Sequence, residues 1–280
     1  MYDKSNVISV SCLQYTSTTN ELRTLEMINP LINKAIDLGS DIIALPECAT
    51  AIQGDPLNTI KLAKTQSENI SLKILKEIAK TNSVHILIGS LPIKTNNKIT
   101  NRSFLIGPNG KTLYKYDKIH MFDVNLPNGE SYKESDTYSP GSKAVLAKVK
   151  LQKIVKIGMT ICYDLRFPKL FQDLAINGAE IITVPSAFSK NTGKLHWHTL
   201  LRARAIETGC FIIAPAQTGT HCKGRKTYGH SLIISPWGKI IADAKKETNL
   251  INAKINLDIV KEARLAIPNL NAQRKYLTDL

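Results

Sequence analysis

A cysteine at the end of an apolar run is the most reactive side chain that this sequence presents. Cys162 lies in the segment Ile161–Pro168, Ile-Cys-Tyr-Asp-Leu-Arg-Phe-Pro, directly after the largely apolar residues 154–160. A buried strand that ends here and turns into a polar segment would place the thiol at the carboxyl edge of a sheet. The following backbone amides would then point at whatever the sulfur attacks. A lone cysteine of this kind is more often a small buried apolar residue, so its function depends on what lies upstream.

Two charged residues occupy equivalent places at the ends of other segments. Glu47 closes the apolar segment 42–46, and Lys118 follows the tyrosine-containing segment 114–117. Taken singly, a glutamate in such a place is commonly a helix cap, and a lysine is commonly a surface residue whose stem packs on apolar neighbours. Together with Cys162 they supply a base, a cation and a nucleophile, which is the set that amide hydrolysis through a covalent intermediate needs.

The order and spacing of these blocks resemble the nitrilase superfamily of carbon–nitrogen hydrolases. Its three signature blocks correspond to Leu-Pro-Glu at 45–47, Lys-Ile-His at 118–120 and Gly-Met-Thr-Ile-Cys-Tyr-Asp-Leu-Arg-Phe-Pro at 158–168. The likeness continues through residues 200–207, 228–231 and 236–238, and so covers nearly the whole chain. Those later blocks are most similar to the amidase branch that contains deaminated-glutathione amidase and omega-amidase.

The resemblance implies an α/β fold of the four-layer α-β-β-α sandwich type, with residues 1–280 forming one carbon–nitrogen hydrolase domain. It implies hydrolysis of a linear, carboxylated amide through a thioester. Deaminated glutathione is the first substrate candidate, and 2-oxoglutaramate-type amides or other amidase and carbamoylase substrates are the alternatives. It also implies that no metal or organic cofactor is needed and that the protein is a homodimer or a higher homo-oligomer.

Individual roles follow from the same resemblance. Glu47 would take the thiol proton, give it to the departing amine and later activate water. We expect a second carboxylate in the confined site to raise the pKa of Glu47. Lys118 and the backbone N–H of Tyr163 would stabilise the oxyanion. The second glutamate of the family corresponds to Glu134 rather than to Glu130, and it would hold Lys118 and the incoming group in place.

Arg166 is a candidate for binding a substrate carboxylate. It follows Cys162 by four residues, about one turn if an α-helix begins at the cysteine, and a guanidinium can bind a carboxylate bidentately. A structural ion pair with Asp164 is an equal alternative. One local difference from the family lies at His198, where the animal enzymes of this branch carry glutamate, and the resemblance leaves the substrate contacts at this position open.

Alternating apolar and amphipathic runs would build the sheets that position these residues. Strands are predicted at 7–13, 41–45, 84–89, 154–160, 179–184 and 211–214, and helices at 22–36, 70–79 and 195–208. Pro-Asn-Gly at 108–110 and Pro-Trp-Gly at 236–238 predict hairpins between 103–107 and 112–116 and between 231–234 and 239–242. Mixed sheets with helices on the outside are the expected result.

Composition agrees with one large α/β enzyme. The chain has 280 residues, 43% of them hydrophobic, and no apolar run reaches the roughly 18–20 residues that would span a membrane. The polar start at residues 1–6 predicts that there is no signal peptide. The five cysteines are scattered without zinc-type spacing, which argues against metal and disulfide frameworks and predicts a cytoplasmic location.

The charge and the intact chemical groups argue against two other classes of protein. A net charge of +14 could indicate nucleic-acid binding, but lysines are spread along the whole chain and aromatic residues make up 6%. A lysine-rich solvated surface is therefore favoured, and the expected partner is a small amide substrate. A catalytically silent binding protein on the same fold is the remaining alternative. The presence of Glu47, Lys118 and Cys162 together argues against it.

Overall fold

The computed structural model describes residues 6–96, 98–126, 129–272, 274 and 277, so most of the polar start falls outside the described range. The strands are β1 (Val7–Gln14), β2 (Ile42–Ala44), β3 (His85–Thr95), β4 (Lys98–Ile106), β5 (Thr112–Asp117), β6 (Asp123–Asn125), β7 (Ser131–Lys133), β8 (Val145–Lys150), β9 (Ile154–Met159), β10 (Ile181–Thr183), β11 (Phe211–Ala214), β12 (Thr218–Thr220), β13 (Lys226–Tyr228), β14 (Leu232–Ile234), β15 (Ile240–Asp243) and β16 (Asn249–Asn256). The helices are α1 (Glu21–Asp37), α2 (Pro56–Leu62), α3 (Ile70–Thr81), α4 (Pro168–Ile176), α5 (Lys190–Thr208) and α6 (Asp258–Ala266).

The two large sheets follow the same plan. The strand order is β16-β1-β2-β3-β4-β5 in the first sheet and β15-β14-β11-β10-β9-β8 in the second. In each sheet three neighbouring strands run parallel, β1 to β3 in the first and β9 to β11 in the second, and the flanking strands are antiparallel to them. In each sheet the carboxyl ends of the parallel strands share one edge. The residues that follow β2 in the first sheet and β9 in the second lie at these edges, and they can meet where the two sheets face each other.

Alternating side chains of the first sheet enter two different cores. Ile42 of β2 packs in one cluster with Ile157 of the second sheet. The next residue, Ile43, packs in another cluster with Ile28 of α1 and Leu75 of α3. This period of two is what a sheet buried on both faces produces. Helices α4 and α5 contact the strands of the second sheet, so the layers run helix, sheet, sheet, helix.

The four-layer sandwich predicted from the sequence is confirmed, and both predicted hairpins form between antiparallel strands. The predicted helix at 195–208 begins earlier, at Lys190, because its polar first turns pack closely on β13 without apolar periodicity. Strand β16 was not predicted, since its pairing with β1 joins distant parts of the chain.

In the described part of the chain, no helix is long and apolar enough to cross a membrane. A single domain over 1–280 stays a prediction.

Candidate active site

Cys162 lies at the junction between β9 and a short 3-10 helix, Cys162–Arg166. Its backbone φ is 46°, in the left-handed region that residues other than glycine seldom adopt. Its N–H donates to the carbonyl of Pro185, at 2.9 Å, in the segment after β10. The buried thiol hydrogen-bonds the carboxylate of Glu47. Such a conformation persists where the surrounding contacts enforce it, as is common at functional sites.

Glu47 approaches the same place from the first sheet. It follows β2 by way of Leu45 and Pro46, whose carbonyl oxygens lie very close to Gly89 of β3. A Cβ atom at position 89 would come within 2.2 and 2.3 Å of these two oxygens, so the close approach of the segments requires glycine. The Glu47 carboxylate accepts a hydrogen bond at Oε2 from the N–H of Ala187, at 2.8 Å. The loop after β10 therefore holds both the base and the cysteine.

Lys118 connects two carboxylates. Its side chain is 2% exposed, and Nζ lies 2.9 Å from Oε1 of Glu47 and 2.8 Å from Oε2 of Glu134. The Asn101 amide donates to Oε1 of both glutamates, at 3.1 and 3.2 Å. A buried ammonium is tolerated when it is paired and hydrogen-bonded in this way. The structure thus brings together Glu47, Lys118, Glu134 and Cys162, and their catalytic roles remain predictions.

The charges of this cluster set its protonation states. Burial would raise the pKa of Glu47, but the charge and hydrogen bond of Lys118, with hydrogen bonds from Cys162 and Ala187, hold that pKa below its ordinary value. Burial and the neighbouring Glu47 raise the pKa of the Cys162 thiol well above its ordinary value. Burial also opposes the charge of Lys118, yet Glu134 and Glu47 raise its pKa well above its ordinary value. At neutral pH the site therefore holds a carboxylate, an ammonium and a thiol.

The expectation that the pKa of Glu47 would be raised is wrong. That expectation rested on two effects that raise the pKa of a carboxyl group, the repulsion from a second carboxylate and the confinement of the site. The opposite charge of Lys118, 2.9 Å away, outweighs them only together with the hydrogen bonds that Glu47 accepts from Lys118, Cys162 and Ala187. Glu47 is consequently ionised in the free protein and can accept a proton without first losing one.

Glu134 and Glu130 have different surroundings. Glu134 binds Lys118 and accepts a hydrogen bond from the N–H of Phe122 at 2.7 Å. Glu130 accepts a hydrogen bond from the Asn191 amide at 2.6 Å, at the start of α5. Both line the same pocket. The glutamate that contacts the lysine is therefore Glu134, the residue that the resemblance indicated.

Cys162 lines a cavity of about 810 Å³. This volume lies within the range of roughly 300–1,000 Å³ that small-molecule sites occupy. The wall is formed by the catalytic candidates together with residues 51–56, 130–134, 187–192 and 222–226. Tyr163 also lines the cavity, and its ring makes an edge contact with Phe122 at a centroid distance of 5.0 Å. The oxyanion role of the Tyr163 N–H stays a prediction.

Arg166 lies beside the cavity wall, with its Cζ 5.4 Å from the ring centroid of Phe188 and 5.9 Å from that of Tyr163, two residues that line the cavity. The described lining of the cavity does not include it, and its Nη2 lies 3.2 Å from Nδ1 of His196. The cause is the 3-10 helix that begins at Cys162. With three residues per turn, the fourth residue is rotated by about 120° from the cysteine instead of lying above it. Asp164, the alternative partner, accepts hydrogen bonds from Tyr116 and the N–H of His120. Binding of a carboxylate by Arg166 stays a prediction.

Two further residues of the site were not found from the sequence. Ala187 acts through its backbone, and a backbone N–H leaves no signal in residue types. Arg225 lines the cavity from the turn before β13, in a short Gly-Arg-Lys segment without periodicity. In sequence, a basic residue in such a turn looks the same whether it lines a cavity or is exposed to solvent. Only the folded structure shows that Arg225 lines the cavity.

His198 belongs to a separate polar cluster. Its Nε2 lies 3.7 Å from Asp243, whose other oxygen is 3.0 Å from Nδ1 of His230. One ligand atom from each of these three residues lies within 4.8 Å of the others, and Lys245 Nζ lies 2.9 Å from the same carboxylate. None of these four described residues lines the cavity. Histidine at position 198 therefore changes this cluster and not the described wall of the cavity. The expectation that no metal is needed stays a prediction.

Comparison with known proteins agrees with this fold. The carbon–nitrogen hydrolase family model matches residues 9–265. A deaminated glutathione amidase of Synechocystis sp. (strain PCC 6803 / GT-S) is 41% identical over 263 residues, which are 93% of this chain and 96% of that protein. The crystal structure of the C. elegans NitFhit protein has a TM-score of 0.88 and 31% identity, covering 96% of this chain and 65% of that one. The crystal structure of Saccharomyces cerevisiae Nit3, a member of branch 10 of the nitrilase superfamily, has a TM-score of 0.86 and 28% identity. The match covers 99% of this chain and 100% of that one.

Two facing mixed sheets, with the cavity at the ends of their strands, place the protein among hydrolases that act on carbon–nitrogen bonds. The chain belongs to the carbon–nitrogen hydrolase family, in the amidase branch of the nitrilase superfamily. The chain spans about two thirds of the NitFhit chain and nearly all of the Synechocystis amidase.

Proposed function

We propose that the protein hydrolyses a linear, carboxylated amide through a thioester on Cys162. The observation that carries this proposal is the buried contact network in which Lys118 binds Glu47 and Glu134 while Glu47 hydrogen-bonds the thiol. A structural ion pair would not need a thiol beside it, and a silent binding module would not need all four groups at the wall of one cavity.

The proposed reaction has two halves. Glu47 takes the thiol proton as sulfur adds to the amide carbonyl, while Lys118 and the Tyr163 N–H stabilise the oxyanion. Glu47 then gives this proton to the nitrogen as the C–N bond breaks, which releases the amine and leaves a thioester. Water next gives a proton to Glu47 and adds to the thioester carbonyl. The C–S bond breaks, the carboxylic acid leaves, and Glu47 returns the proton to Cys162.

Deaminated glutathione is the proposed substrate. The relatives that bear this name are 34–41% identical to the chain over most of its length. A cavity of about 810 Å³ can hold a substrate of that size. Omega-amides of 2-oxo acids are the second candidate.

We further propose that the protein works in the cytoplasm as a homodimer. All five cysteines are free thiols, which suits a reducing compartment.

Ile206 of α5 and Trp237 lie close to the same glycine and are each 50% exposed, so they offer apolar area to a second copy. Light scattering on the purified protein should give twice the chain mass of 31.0 kDa.

A panel of linear amides tests the proposed activity. Deaminated glutathione, 2-oxoglutaramate and a neutral amide of similar length are incubated with the protein, and the released amine or ammonia is measured. Cys162→Ala is the matched control. Release of amine or ammonia by the native protein, without release by Cys162→Ala, supports the proposal. Binding of these amides without any release would support the silent binding module.

A further inference from the structure

Arg225 presents a guanidinium to the cavity that the proposed reaction does not use. It is partly buried, its Nη2 donates to the carbonyl of Ala187 at 3.1 Å, and its Cζ lies 5.9 Å from the ring centroid of Tyr132. Within the described chain it forms no salt bridge. A guanidinium carries five N–H donors in a fixed plane, so several donors are left to face the cavity.

The turn that carries Arg225 is held on both sides. Arg225 lies between the 3-10 turn Cys222–Gly224 and β13, and its carbonyl accepts a hydrogen bond from the N–H of His221 at 2.7 Å. The His221 ring contacts the hydroxyl of Thr227 at 2.8 Å and the carbonyl of Ser17 at 3.1 Å. The backbone that carries the guanidinium is fixed in this way, so the turn loses little conformational entropy when a ligand binds.

The cavity wall leaves positive charge uncompensated. Six basic and four acidic side chains line it. Two of the acidic residues, Glu47 and Glu134, share Lys118, a third, Asp55, pairs with Lys223 at 3.1 Å, and the fourth, Glu130, accepts a hydrogen bond from Asn191. Of the other basic residues, Lys133 pairs with Asp136, at 3.4 Å, outside the wall. The remaining positive charge, with Arg225 nearest to the reacting groups, favours an anionic ligand.

Arg225 lies on the Glu47 side of the nucleophile. Ala187 accepts a hydrogen bond from Arg225 and donates its own N–H to Glu47, so one residue separates the guanidinium from the base. Glu47 is the group that protonates the departing amine in the proposed reaction. The amine portion of the substrate therefore lies toward Arg225.

We propose that Arg225 binds a carboxylate on the amine portion of the substrate, at the end of an N-acyl dipeptide. The inference rests on the proposed amidase function, because it uses the direction in which the amine leaves. It divides carboxylate recognition between two ends of the substrate, with the acyl end served elsewhere. The bonds it assigns are charge-assisted N–H···O contacts between the planar guanidinium and the two carboxylate oxygens.

Binding to an inactive variant tests this assignment without turnover. Cys162→Ala protein is titrated calorimetrically with glutaryl-alanylglycine and with its C-terminal carboxamide, which differ only in the charge on the amine portion. We expect the acid to bind at least about tenfold more tightly than the carboxamide, the lower bound for a charge-assisted pair. In Cys162→Ala/Arg225→Gln the two should bind within about twofold of each other. Cys162→Ala/Arg23→Gln, which removes an exposed arginine of α1 that does not line the cavity, should keep the preference.

Turnover by the otherwise native protein is the second arm. Arg225→Gln should lower kcat/KM for the acid by about tenfold to a hundredfold and leave the carboxamide within about twofold, with Arg225→Lys intermediate. Equal losses on both amides would overturn the proposal, because Arg225 would then act by supporting Ala187 and Glu47. Unchanged kcat/KM for the acid would also overturn it. If native protein cleaves neither amide but the calorimetric preference depends on Arg225, the amidase function fails while the anion subsite stands. Thermal unfolding of each variant checks that it is folded.

Discussion

The ammonium of Lys118 lies 2.9 Å from Oε1 of Glu47, and both side chains are buried. This contact decides where the protons of the site are. Against the effect of burial, Lys118 and the hydrogen bonds from Cys162 and Ala187 keep Glu47 ionised. Burial and the ionised Glu47 in turn keep the Cys162 thiol protonated. The nucleophile is thus activated by proton transfer to a neighbouring base during attack, and not by a preformed thiolate.

The thiol of Cys162 should react slowly at neutral pH. Because its pKa is raised well above 9.0, we expect alkylation by iodoacetamide to accelerate only in alkaline solution. Glu47→Gln removes a negative charge and an acceptor, so the midpoint of the alkylation profile should move to lower pH. Peptide mapping by mass spectrometry gives the rate for Cys162. Cys210, a fully buried thiol whose pKa is raised by burial and which lies beside Arg264, reports any general change. An unshifted midpoint in Glu47→Gln would contradict the coupling.

Glu134 and Glu130 offer a matched comparison in one loop. Glu134→Gln leaves Lys118 with one carboxylate partner and should lower kcat by about a hundredfold or more, the scale of a lost electrostatic contact in an active site. Glu130→Gln, which removes the same charge from the same cavity without touching Lys118, should cost less than about tenfold. Steady-state rates on one amide measure both. If Glu130→Gln is the more damaging change, the assignment of the second glutamate is wrong.

Arg166 can be tested at the acyl end of the substrate. If it binds a carboxylate there, Arg166→Gln should lower kcat/KM for a glutaryl amide by about tenfold to a hundredfold and leave the corresponding butyryl amide within about twofold. The contact with His196 predicts instead a structural role, in which both amides lose activity equally. The ratio of the two kcat/KM values decides between them.

The stability of the fold should depend on pH through His221. Burial lowers the pKa of this histidine to about 4, with a smaller contribution from Arg225, whereas the unfolded chain titrates near 6.5. Between these pH values the unfolded state binds a proton that the folded state does not, so stability falls as pH is lowered from 6.5 towards 4. The loss should approach roughly 3 kcal/mol.

Urea unfolding at several pH values measures this effect. His221→Gln should flatten the pH dependence in the same window, and the other histidines with lowered pKa values, such as His85, should leave a residual slope. A variant whose slope equals that of the native protein would show that another group is responsible.

Local pattern predicted much of the frame and the site. Strand β1 was predicted within one residue of its observed end, and β11 over its whole length, because short apolar runs between turn signals are strong strand signals. Glu47, Lys118 and Cys162 could be found because each follows a predicted element at the same edge of the sheets. Motif order identified Glu134 as the residue that contacts Lys118.

Other features depend on geometry that residue types do not encode. A 3-10 helix instead of an α-helix after Cys162 leaves Arg166 out of the described cavity wall, beside Tyr163 and Phe188, and both helices suit that segment locally. The direction of the Glu47 pKa shift depends on how burial balances against Lys118 and the hydrogen bonds from Cys162 and Ala187. Arg225 enters the cavity because a hairpin folds its turn against the loop after β10, a contact between distant parts of the chain.

Detection of the acyl-enzyme tests the central claim most directly. Native protein is mixed with a cleavable amide, quenched in acid within one turnover and digested, and the peptide that contains Cys162 is weighed. The account predicts that this peptide gains the mass of the acyl group, that the gain disappears in Cys162→Ala, and that hydroxylamine removes it as expected of a thioester. Turnover by Cys162→Ala at the native rate, or an acyl group on another residue, would contradict the proposed mechanism.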